Sequence, residues 1–436
     1  MATARGSKGN GKAGNGKAGN GKTAGQHKIG LALAGGGPLG GVYEIGALLA
    51  LNEALEGFDF QDADVYVGVS AGALVSSLLA NGISPAQMAR VFIQPRPGDP
   101  RFSPVVFMKP AYREYLQRAL SLPSLFLNST LRYLSNPLRN GLLECYNDLT
   151  RAIPTALFDN TPIERFLAEL FGNRDLTNDF RELERQLYIV AVDLDTGQAI
   201  RFGAPGASHV RISRAVQAST ALPGLYPPVR IGGRYFVDGG LKRTLHASMA
   251  LDEGVDLLFC VNPIVPFDAE LAPEDDAKLH DTLVEGGLPV VLSQTFRSLI
   301  HSRMQVGMSK YDSTYDRAKV VLFEPDRHDS RMFFASIFGY ANRENVCQHA
   351  YRTTRRDLRA RRAELEPVFE AHGISIRDEV LADTGRQFSQ ALESCHDDVQ
   401  RLGLYGNATT NKLSGALDRV EQLMSGSPSE RILPRD

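Results

Sequence analysis

Cysteines are few. There are four, Cys145, Cys260, Cys347 and Cys395, with no CxxC and no close pair. That usage excludes a disulfide frame or a cysteine-based zinc site and points to reduced thiols in a reducing compartment. No uninterrupted apolar run reaches the ~18 residues of a membrane span, and the N-terminus lacks the apolar core of a secretory signal. A cytoplasmic protein is expected, with peripheral membrane contact left open. One sign of charge does not dominate either: the formal net charge is −2, which argues against a general nucleic-acid binder. What is present, 43% hydrophobic and 22% charged residues over 436, is enough for one large domain with additions or for two domains. Oligomeric state is not legible from composition.

Residues 1–27 are of low complexity, with "GNGK" three times. Gly, Asn and Lys bury too little apolar surface to offset ordering entropy, so a disordered Gly/Asn/Lys-rich tail is expected. The stretch "GKAGNGKT" at 16–23 matches the phosphate-loop pattern. It has no hydrophobic strand before it, so the match is an accident of the repeat. Order begins at "HKIGLALAGGG", a strand-length apolar run ending in glycines. "PLGGVYEIGALLALNEAL" then has helical spacing, with Pro38 suited to a first turn. "VYVGVSAGALVSSLLANG" repeats that plan of strand, turn and helix. Further strands are expected at "RQLYIVAVDLDTG", "AIRFGA", "GRYFVDGG", "DLLFCVNPI" and "AKVVLFEP", which with the helical patterns between them imply an α/β layered sheet, mostly parallel.

Residues 95–150 depart from the alternation and read as an insertion: an irregular proline-rich stretch, then apolar sequence with scattered arginines. From Arg101 to Leu143 basic residues exceed acids by five (Arg101, Lys109, Arg113, Arg118, Arg132 and Arg139 against Glu114). A solvated helical insertion is one reading. A lipid-facing surface inserting Phe107, Leu125, Phe126 and Leu127 is the other. Residues 331–436 are expected to be helical, the arginine run at 352–362 forming a solvated face.

Three motifs carry chemistry. "AGGGPLGG" follows a strand and opens a helix, so backbone N–H groups from Gly35, Gly36 and Gly37 would converge where negative charge is favoured. Gly35, Gly37 and Gly40 also satisfy the weak G-x-G-x-x-G pattern of a nucleotide site. "GVSAG", Gly68 to Gly72, puts Ser70 between a strand and a helix with glycine on both sides, as a nucleophile elbow requires. No histidine has a strand-end, glycine-flanked context, and His246 is expected on a helix in a surface or packing role. Asp238, followed by Gly239 and Gly240, has that context.

In this order the set resembles the patatin-like phospholipase family, whose acyl hydrolases use a Ser-Asp dyad without histidine. The likeness runs over roughly 28–325, including "VAVDLDTGQAIRFG" and "ISRAVQASTALPGLYPPVRIGGRYFVDGGL". It implies a three-layer α/β/α fold whose catalytic domain spans 28–330. It also implies Ser70 as nucleophile, Asp238 as general base and the backbone of Gly35, Gly36 and Gly37 as oxyanion hole. Gly40, Gly68, Gly72, Gly239 and Gly240 would support the motifs, with a lipid ester as substrate and no cofactor or metal. Leu39 stands where many members have Arg or Lys, so the cradle lacks that cation and neutral esters or lysolipids join phospholipids as substrates. The competing readings are a non-catalytic membrane- or protein-binding module of the same fold, and a nucleotide-binding protein using the "GGGPLG" turn.

Overall fold

The computed structural model describes residues 27–96, 102, 107–135, 147–268, 270, 283–329 and 340–394. The expected tail up to residue 26, its phosphate-loop match and the end of the chain lie outside them. The strands are β1 (Ile29–Leu33), β2 (Leu55–Glu56), β3 (Val65–Val69), β4 (Gln186–Asp193), β5 (Ala199–Phe202), β6 (Val229–Ile231), β7 (Arg234–Asp238), β8 (Leu257–Val261), β9 (Lys319–Phe323) and β10 (Ser375–Ile376). Eight build one sheet in the order β6-β7-β4-β3-β1-β8-β9, with β5 also on β4, while β2 and β10 pair separately. From β4 to β9 every pairing along that order is parallel, and β5, β6 and β7 join antiparallel.

The apolar runs account for this arrangement. β1, β3 and β8 are buried along their whole length, because a central parallel strand is covered on both faces and cannot alternate with polar residues. Successive residues of β1 serve different layers: Leu31 and Leu33 belong to one core, Ala32 to the other. The first core is closed by α1 (Gly37–Ala54), α2 (Ala71–Ala80) and α3 (Pro85–Phe92). α3 starts at a capping box in which Ser84 and Gln87 bond each other's backbone N–H.

α4 (Tyr112–Ser135) runs outside this layer. It is one helix of 24 residues with Pro123 inside it and a single buried residue, Ser129. α5 (Thr161–Leu170) and α6 (Ile212–Ser219) return to the first core. The second core is covered by α7 (Ser248–Asp252), the residues just before it, and α8 (Gly287–Thr314) through Met304. The three layers expected from the sequence are therefore present.

α9 (Arg343–Ala360) closes over α1. The two helices approach so closely that a Cβ on Gly46 would lie 2.6 Å from the Cys347 carbonyl oxygen, which explains why α1 is apolar nearly all round. α10 (Arg362–Glu370), α11 (Asp378–Ala382) and α12 (Phe388–Ser394) follow. The arginine run is not wholly a solvated face: Arg355 is buried, donates to the carbonyls of Val380 and Asp383, and lies over the Tyr351 ring.

Candidate functional site

β3 ends at Val69 and α2 begins at Ala71, so Ser70 alone makes the turn, at φ 54° and ψ −120°. An L-residue seldom adopts such backbone, and among the described residues only Ser70 and His246 do so without being glycine. The flanking glycines are required by close approach. A Cβ on Gly68 would sit 2.0 Å from Ser76 Oγ and 2.6 Å from Ala73 Cα, and one on Gly72 would sit 2.5 Å from the carbonyl oxygens of Leu33 and Ala34. Gly72 N–H also donates to the Ala34 carbonyl at 3.0 Å, tying the elbow to the end of β1.

The glycine turn after β1 lies against the elbow. A Cβ on Gly35 would be 3.0 Å from Ser70 Cβ, and Gly36 and Gly37 have φ of 149° and 64°. A Cβ on Gly36 would meet Gly40 Cα at 2.8 Å, so Gly40 makes room for the turn. The first N–H groups of α1 have no partner within the helix, and the helix dipole adds positive potential at that end. Leu39, in the first turn of α1, is buried.

Asp238 closes β7 opposite Ala191 of β4, and its N–H donates to the Ala221 carbonyl at 3.0 Å. Its carboxylate accepts Gly240 N–H at 2.8 Å and has the Ser70 hydroxyl beside it, which favours the ionised form. The two residues singled out in the sequence, 168 positions apart, are thus neighbours. Both are nearly enclosed, Ser70 at 8% exposure and Asp238 at 4%. Burial pushes the carboxyl up to about 6, opposed by the Ser70 hydroxyl and Gly240 N–H. Gly239 is fixed by crowding, since a Cβ there would lie 2.3 Å from the Val190 carbonyl oxygen.

His246 is not on a helix. It precedes α7 in a turn, at φ 48°, and is buried. Sequence reasoning also left Ser219 unassigned. This last residue of α6 accepts Ser70 N–H at 2.9 Å on its hydroxyl and donates to the Val190 carbonyl at 2.6 Å, so it braces the elbow from behind. Among the described residues, no group of three or more His, Cys, Asp or Glu side chains could hold a metal ion, and no helix is long and apolar enough to cross a membrane. A surface cavity of about 440 Å³ lined by Ile29, Asp64 and Arg185 is at the opposite, N-terminal edge of the strands from Ser70.

A parallel sheet with a strained serine elbow, a glycine cradle beside it and a buried aspartate next to the serine defines a hydrolase-like α/β protein. The patatin-like phospholipase model matches residues 31–251, just over half of the chain, and the chain belongs to that family of lipid hydrolases. Uncharacterized NTE family proteins of Mycobacterium bovis and Mycobacterium tuberculosis are 33% identical over 110 residues, which is 25% of this chain and only 17% of their own length. Among solved structures, VipD from Legionella pneumophila aligns with 91% of this chain and 87% of its own, at 14% identity and a TM-score of 0.32. ExoU in its complex with SpcU, from the type III secretion system of Pseudomonas aeruginosa, aligns with 92% and 64%, at 13% identity and a TM-score of 0.26. Likeness at that level bears on neither substrate nor role.

Proposed function

We propose that this protein is a serine acyl hydrolase of lipid esters, of the phospholipase A or lysophospholipase type, working through Ser70 and Asp238. The placement of these side chains beside each other at the mouth of the glycine cradle carries the reading. Asp238 takes the hydroxyl proton as Ser70 Oγ bonds to the acyl carbonyl carbon, and the carbonyl oxygen becomes an oxyanion facing the N–H groups of Gly35, Gly36 and Gly37. Collapse breaks the ester C–O bond, and the leaving alcohol receives the proton from Asp238. Water, deprotonated by the same carboxylate, then bonds to the acyl carbon; the Ser70 Oγ–acyl bond breaks, Asp238 returns the proton to Ser70 Oγ, and the fatty acid leaves. No metal or cofactor enters these steps. An exposed aspartate near pKa ~3.9 is a poor base. A buried one raised to about 6 is better matched to a hydroxyl and still ionised at neutral pH.

The 95–150 insertion is the membrane-facing part of this reading. Tyr112, Leu116, Leu120, Leu127, Leu131 and Leu134 form an exposed stripe along α4 at near-helical spacing. With the local basic excess, an anionic lipid surface is the matching occupant. Phe107 does not belong to that stripe; it packs against the core beside Phe102 and Tyr340. α4 reaches the site by short links: Glu114 accepts Thr155 N–H at 2.8 Å, Gly224 N–H donates to the Thr155 carbonyl at 3.1 Å, and Ala221 three residues earlier holds Asp238.

A fluorophosphonate probe with adduct mapping tests the reading. Labelling should fall on Ser70 and be lost in Asp238→Asn, with the fold intact by circular dichroism. Absence of labelling with and without anionic vesicles would favour the non-catalytic module.

A further inference from the structure

His246 is held in a conformation that needs a reason. It sits at φ 48°, where a side chain other than Asn, Asp or His is rare, and it is 4% exposed. Its ring lies beside the Gly239 carbonyl, and Nε2 is buried with no partner, which leaves Nδ1 to face that oxygen. Burial holds the imidazole well below its usual pKa, with Arg243 and Lys242 adding to the effect, so the ring is neutral at pH 7.

The carbonyl that it faces belongs to the same rigid peptide unit as Gly240 N–H. That N–H donates to Asp238 Oδ1 at 2.8 Å. A donor on the carbonyl end therefore sets the plane in which the N–H end points, and it polarises that N–H toward the carboxylate. Lys242 N–H at 3.1 Å and Arg243 N–H at 3.4 Å also reach the Gly239 oxygen. Both follow directly on the short 3₁₀ turn and move with it. His246, on the chain beyond the turn, anchors it to the layer under α7. Gly239 has no side chain to do this, because the Val190 carbonyl occupies the space.

We propose that His246 is a positioning residue of the Ser70–Asp238 site: its Nδ1–H fixes the Gly239–Gly240 peptide so that Gly240 N–H holds the Asp238 carboxylate against Ser70. This rests on the dyad reading above. His246 takes no proton from Ser70; it acts one peptide removed.

The test uses the full chain with His246→Asn, His246→Gln and His246→Ala, and Asp238→Asn alongside. Asn places an amide N–H close to the position of Nδ1 and tolerates positive φ, whereas Gln offers its donor where Nε2 stands. Turnover of a soluble ester should stay within about threefold in His246→Asn. It should drop about tenfold or more in His246→Gln and His246→Ala, with KM changed less than about twofold. In the two damaged variants the acid limb of kcat/KM should also move to higher pH, because a carboxylate that loses an N–H donor is protonated more easily. Three variants that lose turnover only in step with their melting temperature, with the acid limb unmoved, would reduce His246 to packing and overturn the proposal. A dead Asp238→Asn beside a fully active His246→Gln would overturn the His246 role alone. A fully active Asp238→Asn would overturn the dyad, and this role with it.

Discussion

The backbone N–H of Ser70 donates to Ser219 Oγ at 2.9 Å, and that hydroxyl donates in turn to the Val190 carbonyl at 2.6 Å. One small side chain at the end of α6 thus holds the strained residue of the elbow to the neighbouring strand. Ser219→Ala leaves the Ser70 N–H buried without its acceptor, which should cost about 1–3 kcal/mol. The elbow would also lose its brace, so probe labelling at Ser70 should slow about tenfold or more. Urea denaturation and a labelling time course measure the two effects separately.

The raised pKa of Asp238 predicts a trade between stability and chemistry. Below about pH 4 the carboxyl is protonated in both folded and unfolded chains and carries no penalty. Between the unfolded value and the folded value of about 6, the unfolded chain ionises first, so the folded state loses stability as pH rises. Asp238→Asn removes that burden. It should be more stable than the parent above pH 6, by up to about 3 kcal/mol for a shift from 3.8 to about 6, with the gain vanishing toward pH 4. Melting curves across that range read it directly. A parent more stable than Asp238→Asn at pH 8 would contradict the assignment.

The same carboxylate sets the pH dependence of the reaction. A base must be ionised to act, so kcat/KM for a soluble ester should fall on the acid side with a midpoint near the value of about 6 given by burial. The profile should be flat between pH 7 and 8. A midpoint near 4 would mean that water reaches Asp238 in the working enzyme.

How much of this was legible beforehand differs by residue. The runs that became β1, β3 and β8 announced themselves because a strand covered on both faces has to be apolar throughout. The elbow and the Asp238 turn were legible because crowding at Gly68, Gly72 and Gly239 leaves no alternative to glycine. Ser219 was not, since it is one serine among several in a helix and its role exists only once β4 lies beside it. His246 was misplaced for a similar reason: "KRTLHASMALDEG" has helical spacing, but the helix starts at Ser248 and the two residues before it are spent on the turn. α4 was read only as an apolar stretch with scattered arginines, and it runs through Pro123 as one helix.

Glycine spacing yields a contrast that separates crowding from backbone preference. Gly72→Ala drives a methyl group to 2.5 Å from two carbonyl oxygens and should cost about 3 kcal/mol or more, with loss of soluble folded protein. Gly82 has φ 77° but nothing within 4 Å of the added atom, so Gly82→Ala should cost about 1–2 kcal/mol and leave turnover unchanged. Chemical denaturation of the two variants side by side checks this ordering.

The exposed stripe on α4 makes the last prediction. A pair of large apolar side chains near its middle, Leu120 and Leu127, are 71% and 59% exposed, so replacing both with serine removes little folding energy. If α4 lies on a lipid surface, those residues lose their burial there instead. Leu120→Ser with Leu127→Ser should weaken co-sedimentation with anionic vesicles about tenfold or more, while hydrolysis of a soluble ester changes less than about twofold. The basic residues of the insertion add a term that salt screens, so parent binding should also decline from 50 to 500 mM salt and be weaker on neutral vesicles. Because Ser70 and Asp238 are nearly enclosed, vesicles should in addition speed probe labelling of the parent and not of the double variant. Equal loss of vesicle binding and soluble-ester turnover would instead make α4 part of the packed structure around the site.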